Sequence, residues 1–194
     1  RLVNTEEYGI SNYDDFYGFV CGILSQNYDI AHIFIDSITK IVNDNIAEFE
    51  KLGFGMFVHF GLYSVHGKGE WAYNINITPK DYEKLFYLFS PDKDWAKNLV
   101  SAAKGAGCKY ITITTRHHDG FSLYDTCGLN EYDAPHSAAG RDLIREFVDE
   151  CNKEEIVPFF YHTLLDWHEK SYKENFPKYL EYLRASVEIL CKHY

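Results

Sequence analysis

Apolar residues recur along this chain in two rhythms, one helical and one typical of buried strands. From Asp29 to Leu52, Ile30, Phe34, Ile38, Ile41 or Val42, Ile46 and Phe49 follow at steps of three and four, which places them on one packed face of a helix. The residues before it, Arg1 to Tyr28, are rich in Asn, Asp, Tyr and Gly and define no element. Three runs after it are nearly continuous in apolar or β-branched residues: Phe54–Phe60, Tyr110–Thr115 and Ile156–His162. They begin about 55 and 45 residues apart. Such runs are expected of strands covered on both faces in a parallel sheet. Pro158 is the one dissonant residue, because it has no N–H for a strand ladder.

Helical patterns separate these runs. Ser90-Pro91-Asp92 reads as a helix start, followed by a face of Trp95, Leu99, Ala102, Ala103 and Ala106 and a stop at Gly107. A second helix is predicted from about Arg141 to Lys153, with Leu143, Ile144, Phe147, Val148 and Cys151 inward. A third opens near Pro177 and carries Leu180, Leu183, Val187, Leu190 and Cys191. Alternating strands and helices make an α/β fold of successive right-handed βαβ units. The long polar and aromatic connections Gly61–Pro79 and Arg116–Gly140 favour a (β/α)₈ barrel over an open doubly wound sheet. No Gly-x-Gly-x-x-Gly or phosphate-loop pattern follows a strand, which argues against nucleotide binding.

The expected organisation is an N-terminal segment, residues 1–52, with its helix near 29–52, and a partial TIM-like barrel, residues 53–194. A typical barrel takes about 250 residues. The stretch from Phe54 to Tyr194 therefore accommodates about three to four βα units.

Composition narrows the partners. Aromatic residues make up 17% of the chain, with 16 Tyr and 14 Phe, and amphipathic rings suit stacking on carbohydrate faces. A formal net charge of −10 disfavours nucleic acid and anionic membranes. No apolar stretch is long enough for a membrane span, and Arg1–Tyr13 lacks the pattern of a secretory signal. Cys21, Cys108, Cys127, Cys151 and Cys191 contain no Cys-x-x-Cys pair, so a reducing, cytoplasmic setting is expected. The only methionine is Met56, from which a cut or processed amino terminus is expected. Oligomeric state leaves no signal in the pattern.

The residues that can carry chemistry gather after the strands. His117-His118-Asp119-Gly120 stands just beyond the second run, where side chains reach a barrel mouth. A neutral imidazole offers one donor and one acceptor, which suits the hydroxyls of a small polyol. Two other readings stay open at this point, loop histidines bonding to backbone and a metal site shared with His59 and His162. Adjacent histidines on an extended segment point to opposite sides, which weighs against the metal. His59 ends the first run, and Glu70-Trp71 pairs a hydroxyl-binding carboxylate with a stacking ring. Tyr161, Asp166 and Trp167 repeat that mixture after the third run.

Taken together, Phe54-Gly55-Met56-Phe57-Val58-His59-Phe60-Gly61-Leu62-Tyr63-Ser64, Gly69-Glu70-Trp71, Lys109-Tyr110, His117-His118-Asp119-Gly120-Phe121, Arg141-Asp142 and Leu165-Asp166-Trp167-His168 resemble the α-L-fucosidases of glycoside hydrolase family 29. The resemblance runs from about Phe49 to Tyr194. It implies a barrel that removes terminal α-L-fucose from glycans or glycoconjugates with retention, and no cofactor. It also implies that His59, Glu70, Trp71, His117, His118 and Tyr161 line the fucose pocket. His162 stands where many members have a second tyrosine, and Phe60 and Arg116 replace a more usual tryptophan and lysine. Retention needs two carboxyl groups about 5–5.5 Å apart. The resemblance puts the nucleophile and the acid/base beyond Tyr194, so no catalytic residue is expected here and the chain alone is expected to be inactive. The alternatives are a catalytically inactive sugar-binding or assembly fragment and a metal-dependent hydrolase.

Overall fold

A computed structural model of the chain describes residues 43–75 and 77–194. Two compact units are present, Arg1–Gly53 and Phe54–Tyr194. In the first, α1 (Asn43–Leu52) is the described part of the helix expected over 29–52; the rest of that stretch and the segment before it lie outside the described residues. Phe49, expected on the packed face, is 45% exposed.

The second unit is built on three parallel strands, β1 (Gly55–Val58), β2 (Tyr110–Arg116) and β3 (Val157–His162), in spatial order β1-β2-β3. Gly55 pairs with Tyr110 and Tyr110 with Val157. Tyr110 lays its ring over Gly55, where an added Cβ would come within 2.3 Å of the ring, so a side chain at 55 is excluded. Between β1 and β2 lie α2 (Leu62–His66), α3 (Ala72–Ile75), α4 (Pro79–Tyr82), a 3₁₀ turn (Glu83–Tyr87) and α5 (Trp95–Gly105). Helix α6 (Leu143–Lys153) joins β2 to β3, and α7 (Ser171–Glu174) and α8 (Phe176–His193) follow.

Only β2 is buried as expected of a strand covered on both faces. Phe57 in β1 is 53% exposed and Val157 in β3 is 38% exposed, because these are the two edge strands of the described sheet. Pro158 fits its edge: Val157 N–H donates to Lys109 O at 3.0 Å, so the next residue directs its backbone away from β2, where no donor is needed. Outward-facing Met56, Val58, Ile111, Ile113 and Phe160 pack on a core that includes Val100, Ala103, Leu143, Ile144, Phe147 and Val148.

The helices show which patterns decide. Helix α6 buries Leu143, Ile144, Phe147, Val148 and Cys151, and Asp142 caps it by accepting from Arg145 N–H at 2.9 Å. Helix α5 departs from expectation. Asp92 accepts from Asp94 N–H at 2.8 Å, a local turn that holds the chain non-helical until Trp95. The inward residues of α5 are then Ala96, Val100 and Ala103, and Ala102 and Ala106 face solvent. In α8 the buried residues are Tyr179, Ser186 and Leu190; Val187 and Cys191, expected inside, are exposed. The face is turned because polar-tipped residues find partners there, Tyr179 donating to Leu164 O and Ser186 bonding His162.

Candidate functional site

The strand ends bring the chemistry-bearing residues together. Inner-face positions Phe57 and His59 of the first strand segment, Thr114 of β2 and Tyr161 of β3 share one side of the sheet, and His117 joins them. It does so through a register shift between Thr114 and Arg116, where two residues of β2 face one of β3. Such a bulge moves the following side chains to the opposite face. Arg116 therefore turns outward toward Tyr182, and His117 turns in.

The imidazoles form the centre. His117 stacks on Tyr161 with ring centroids 5.5 Å apart, lies 5.3 Å from His59, and meets the edge of Tyr63 at 5.8 Å. The rings of His117 and His118 are 4.2 Å apart. The expectation that adjacent histidines diverge thus fails, because the strand stops at Arg116 and the His117-Gly120 turn curls both rings to one side. Gly120 N–H donates to His117 O at 3.0 Å to close that turn, and Gly120 has a φ of +79°. Trp71 and Trp167 flank His118 at 5.4 and 5.2 Å and touch each other at 5.2 Å. Glu70, half-buried in the turn before α3, exerts its negative charge on both His117 and His118.

Protonation follows from these surroundings. Burial, helped by His118 and His59, holds the His117 imidazole down to about 4, so it is neutral at pH 7. Burial also lowers His118. His118 Nδ1 lies 2.5 Å from Thr163 Oγ1, whose own hydrogen goes to Leu165 O at 2.9 Å. His118 Nδ1–H is therefore the donor, which leaves Nε2 as an acceptor on the neutral ring. His117 Nδ1 has no hydrogen-bond partner.

The nearby carboxylates are occupied. Asp119 is 1% exposed and accepts from Tyr82 Oη at 2.5 Å and from Phe121 N–H at 3.3 Å; burial raises its carboxyl to about 6. Asp166 is also 1% exposed, accepts from the His168 and Glu169 N–H groups and lies 3.9 Å from Arg116. Their role is to hold loops. Trp167 N–H donates to His118 O at 2.8 Å, which ties the two site loops together.

All six residues expected at the pocket lie around this centre, from exposed His59 and 46% exposed Trp71 to buried His117. His162 does not: it faces outward, with Nδ1 3.2 Å from Thr115 Oγ1 and Nε2 3.0 Å from Ser186 Oγ. Phe60 also leaves the site and stacks on Trp95 at 5.0 Å. Tyr63 and Thr163 are site residues that sequence reasoning missed, since a tyrosine and a threonine near strand ends carry no distinguishing spacing. Among the described residues no three His, Cys, Asp or Glu side chains converge as metal ligands.

Residues 27–188 match the family model described as α-L-fucosidase. The chain belongs to the α-L-fucosidase family. Over 164 residues it is 30% identical to the tissue α-L-fucosidase of Mus musculus, covering 72% of this chain and 35% of that protein. The plasma α-L-fucosidase of Rattus norvegicus is 25% identical over 147 residues, 66% of this chain and 32% of the relative. Among solved structures, α-L-fucosidase isoenzyme 1 from Paenibacillus thiaminolyticus superposes with a TM-score of 0.72 at 37% identity, covering 78% of this chain and 41% of that one. A family 29 α-L-fucosidase from Bacteroides thetaiotaomicron gives a TM-score of 0.72 at 27% identity, over 78% and 38%. The chain spans about a third of the length of the curated relatives it matches.

Proposed function

We propose that this chain forms the sugar-holding portion of a retaining α-L-fucosidase, and that His59, Glu70, Trp71, His117, His118 and Tyr161 bind the terminal fucose. The observation that carries this reading is the pair of neutral imidazoles 4.2 Å apart, walled by Trp71, Trp167 and Tyr161. His118 Nε2 accepts from one hydroxyl, the Glu70 carboxylate accepts from others, and the indole faces take the apolar side of the ring. Neutral imidazoles suit an uncharged sugar, since they both donate and accept.

The three parallel strands belong to a (β/α)₈ barrel in this reading, with the site at the carboxyl ends of the strands. Neither Asp119 nor Asp166 acts as nucleophile or acid/base, because both carboxylates are enclosed and bonded to protein groups. The two catalytic carboxylates are supplied from outside the described residues. The substrate class is fucosylated oligosaccharide or glycoconjugate.

Titration with L-fucose, followed by tryptophan emission, tests the pocket, since Trp71 and Trp167 both flank His118. His118→Ala should weaken binding about tenfold, the equivalent of roughly 1.4 kcal/mol of lost hydrogen bonding. Unchanged affinity in that variant would remove His118 from the pocket.

A further inference from the structure

Thr163 stands one residue past the end of β3, where its N–H donates to Arg116 O at 3.1 Å and continues the pairing with β2 beyond the bulge. That bond places it beside the histidine pair. The side chain is 1% exposed, and its hydroxyl has one hydrogen to give and two lone pairs to offer. Leu165 uses most of this capacity, because Thr163 Oγ1 donates to Leu165 O at 2.9 Å and accepts from Leu165 N–H at 3.2 Å. One lone pair is left. His118 Nδ1 lies 2.5 Å from Oγ1, a distance at which a second lone pair would repel the first.

The same loop holds His118 in two ways. Trp167 N–H donates to His118 O at 2.8 Å and fixes the main chain, while Trp71 and Trp167 flank the ring at 5.4 and 5.2 Å. Flanking rings limit where an imidazole lies but do not choose which nitrogen carries its proton. On a neutral ring that choice is set by the hydrogen bond made at the nitrogen turned away from the ligand. Thr163 makes that bond.

We propose that Thr163 is a positioning residue, whose hydroxyl, committed to the Leu165 peptide, keeps His118 in its Nδ1–H form and makes Nε2 a fixed acceptor for one fucose hydroxyl; this rests on the fucose reading of the pocket. The group that faces Nε2 must then be a donor. A free hydroxyl meets that requirement, whereas an ether oxygen or a fluorine in the same place sets lone pair against lone pair. The Glu70 carboxylate, whose charge both imidazoles feel, likewise accepts only. The pocket thus reads a sugar by its free hydroxyls, and the proton placement behind that reading is set by a residue the sugar does not touch.

Nitrogen-15 NMR of the histidine rings, with His118 assigned by difference from His118→Gln, reads the tautomer directly. The proton is expected on Nδ1 in the unmodified chain, and a proton on Nε2 overturns the proposal. Thr163→Val should mix the two tautomers and weaken L-fucose binding about three- to tenfold, as for one ordinary hydrogen bond. Thr163→Ser keeps the hydroxyl and should retain both the Nδ1–H form and the affinity. An unaltered tautomer in Thr163→Val, a mixed tautomer with unchanged affinity, or a Thr163→Ser variant as impaired as Thr163→Val would each overturn the role. Should Thr163→Val not fold, the tautomers of the unmodified chain and of Thr163→Ser decide. Failure of the unmodified chain to bind L-fucose would instead strike the pocket reading, and the tautomer measurement still judges Thr163 by itself.

Discussion

Arg116 and Asp166 face each other at 3.9 Å with side chains 0% and 1% exposed, a charge pair sealed beneath the loops that carry His118 and Trp167. The guanidinium nitrogens make no hydrogen bonds, and its plane lies over Tyr182 at 5.0 Å. Removing one member of a buried pair strands the other charge, at about 3–5 kcal/mol, whereas neutralising both is often close to neutral. Arg116→Met should therefore lower stability by about that amount, and Arg116→Met combined with Asp166→Asn should recover most of it. Urea unfolding of the two variants measures the difference; equal destabilisation would mean that the two groups do not act as a pair.

Gly120 tolerates no side chain. At its φ of +79° an added Cβ would sit 2.7 Å from Asp166 Oδ1 and 2.8 Å from the Cβ of His168. Gly120→Ala should cost about 1–3 kcal/mol and, because the clash parts the two site loops, weaken L-fucose binding as well. Thermal melting and a fucose titration report the two effects. A variant that melts like the unmodified protein would show that the loops yield freely.

Acid stability should carry opposing contributions. His117 is held by burial to about 4 against an ordinary value of 6.5, so the unfolded chain takes up its proton first. Its contribution is complete above pH 6.5 and is lost as pH falls toward 4. His162, lowered by burial and by Arg116, acts in the same direction. Asp119 acts oppositely: burial raises it to about 6 from 3.8, so its contribution is present below 3.8 and is lost as pH rises through 6. His117→Gln should flatten the fall in melting temperature between pH 6.5 and 4, with a residue of the slope left by His118 and His162. An unaltered slope would place the imidazole in contact with water.

Trp71 offers a separate handle on the pocket. Its ring is 46% exposed and packs edge-on against His118 and Trp167, so replacement by alanine leaves the core untouched. Loss of one stacking face is worth about 0.5–1.5 kcal/mol. Trp71→Ala should weaken L-fucose binding about three- to tenfold with an unchanged melting temperature. Isothermal titration would detect it, and full retention of affinity would move the sugar away from this ring.

How much of this is legible in the sequence depends on whether a residue's partner is water, apolar core or another polar group. The apolar period of Leu143, Ile144, Phe147, Val148 and Cys151 sufficed for α6 because nothing competes with burial on that face. The buried face of α8 departs from its apolar period because Tyr179 and Ser186 are buried through hydrogen bonds to Leu164 O and to His162. The six residues that the family resemblance implies for a pocket stand near one another because the strand ends and the loops after them converge there. Arg116 was noticed only as an unusual residue in a motif. Its burial depends on the bulge and on Asp166, fifty positions downstream, which no local pattern reveals.

The bulge between Thr114 and Arg116 has a consequence for the electrical character of the pocket. Strict alternation after Thr114 would have sent Arg116 inward and His117 outward. A cation that keeps its proton at every physiological pH would then occupy the place where a titratable, uncharged ring now stands. The one extra residue at this point of β2 thus keeps a permanent positive charge out of the pocket.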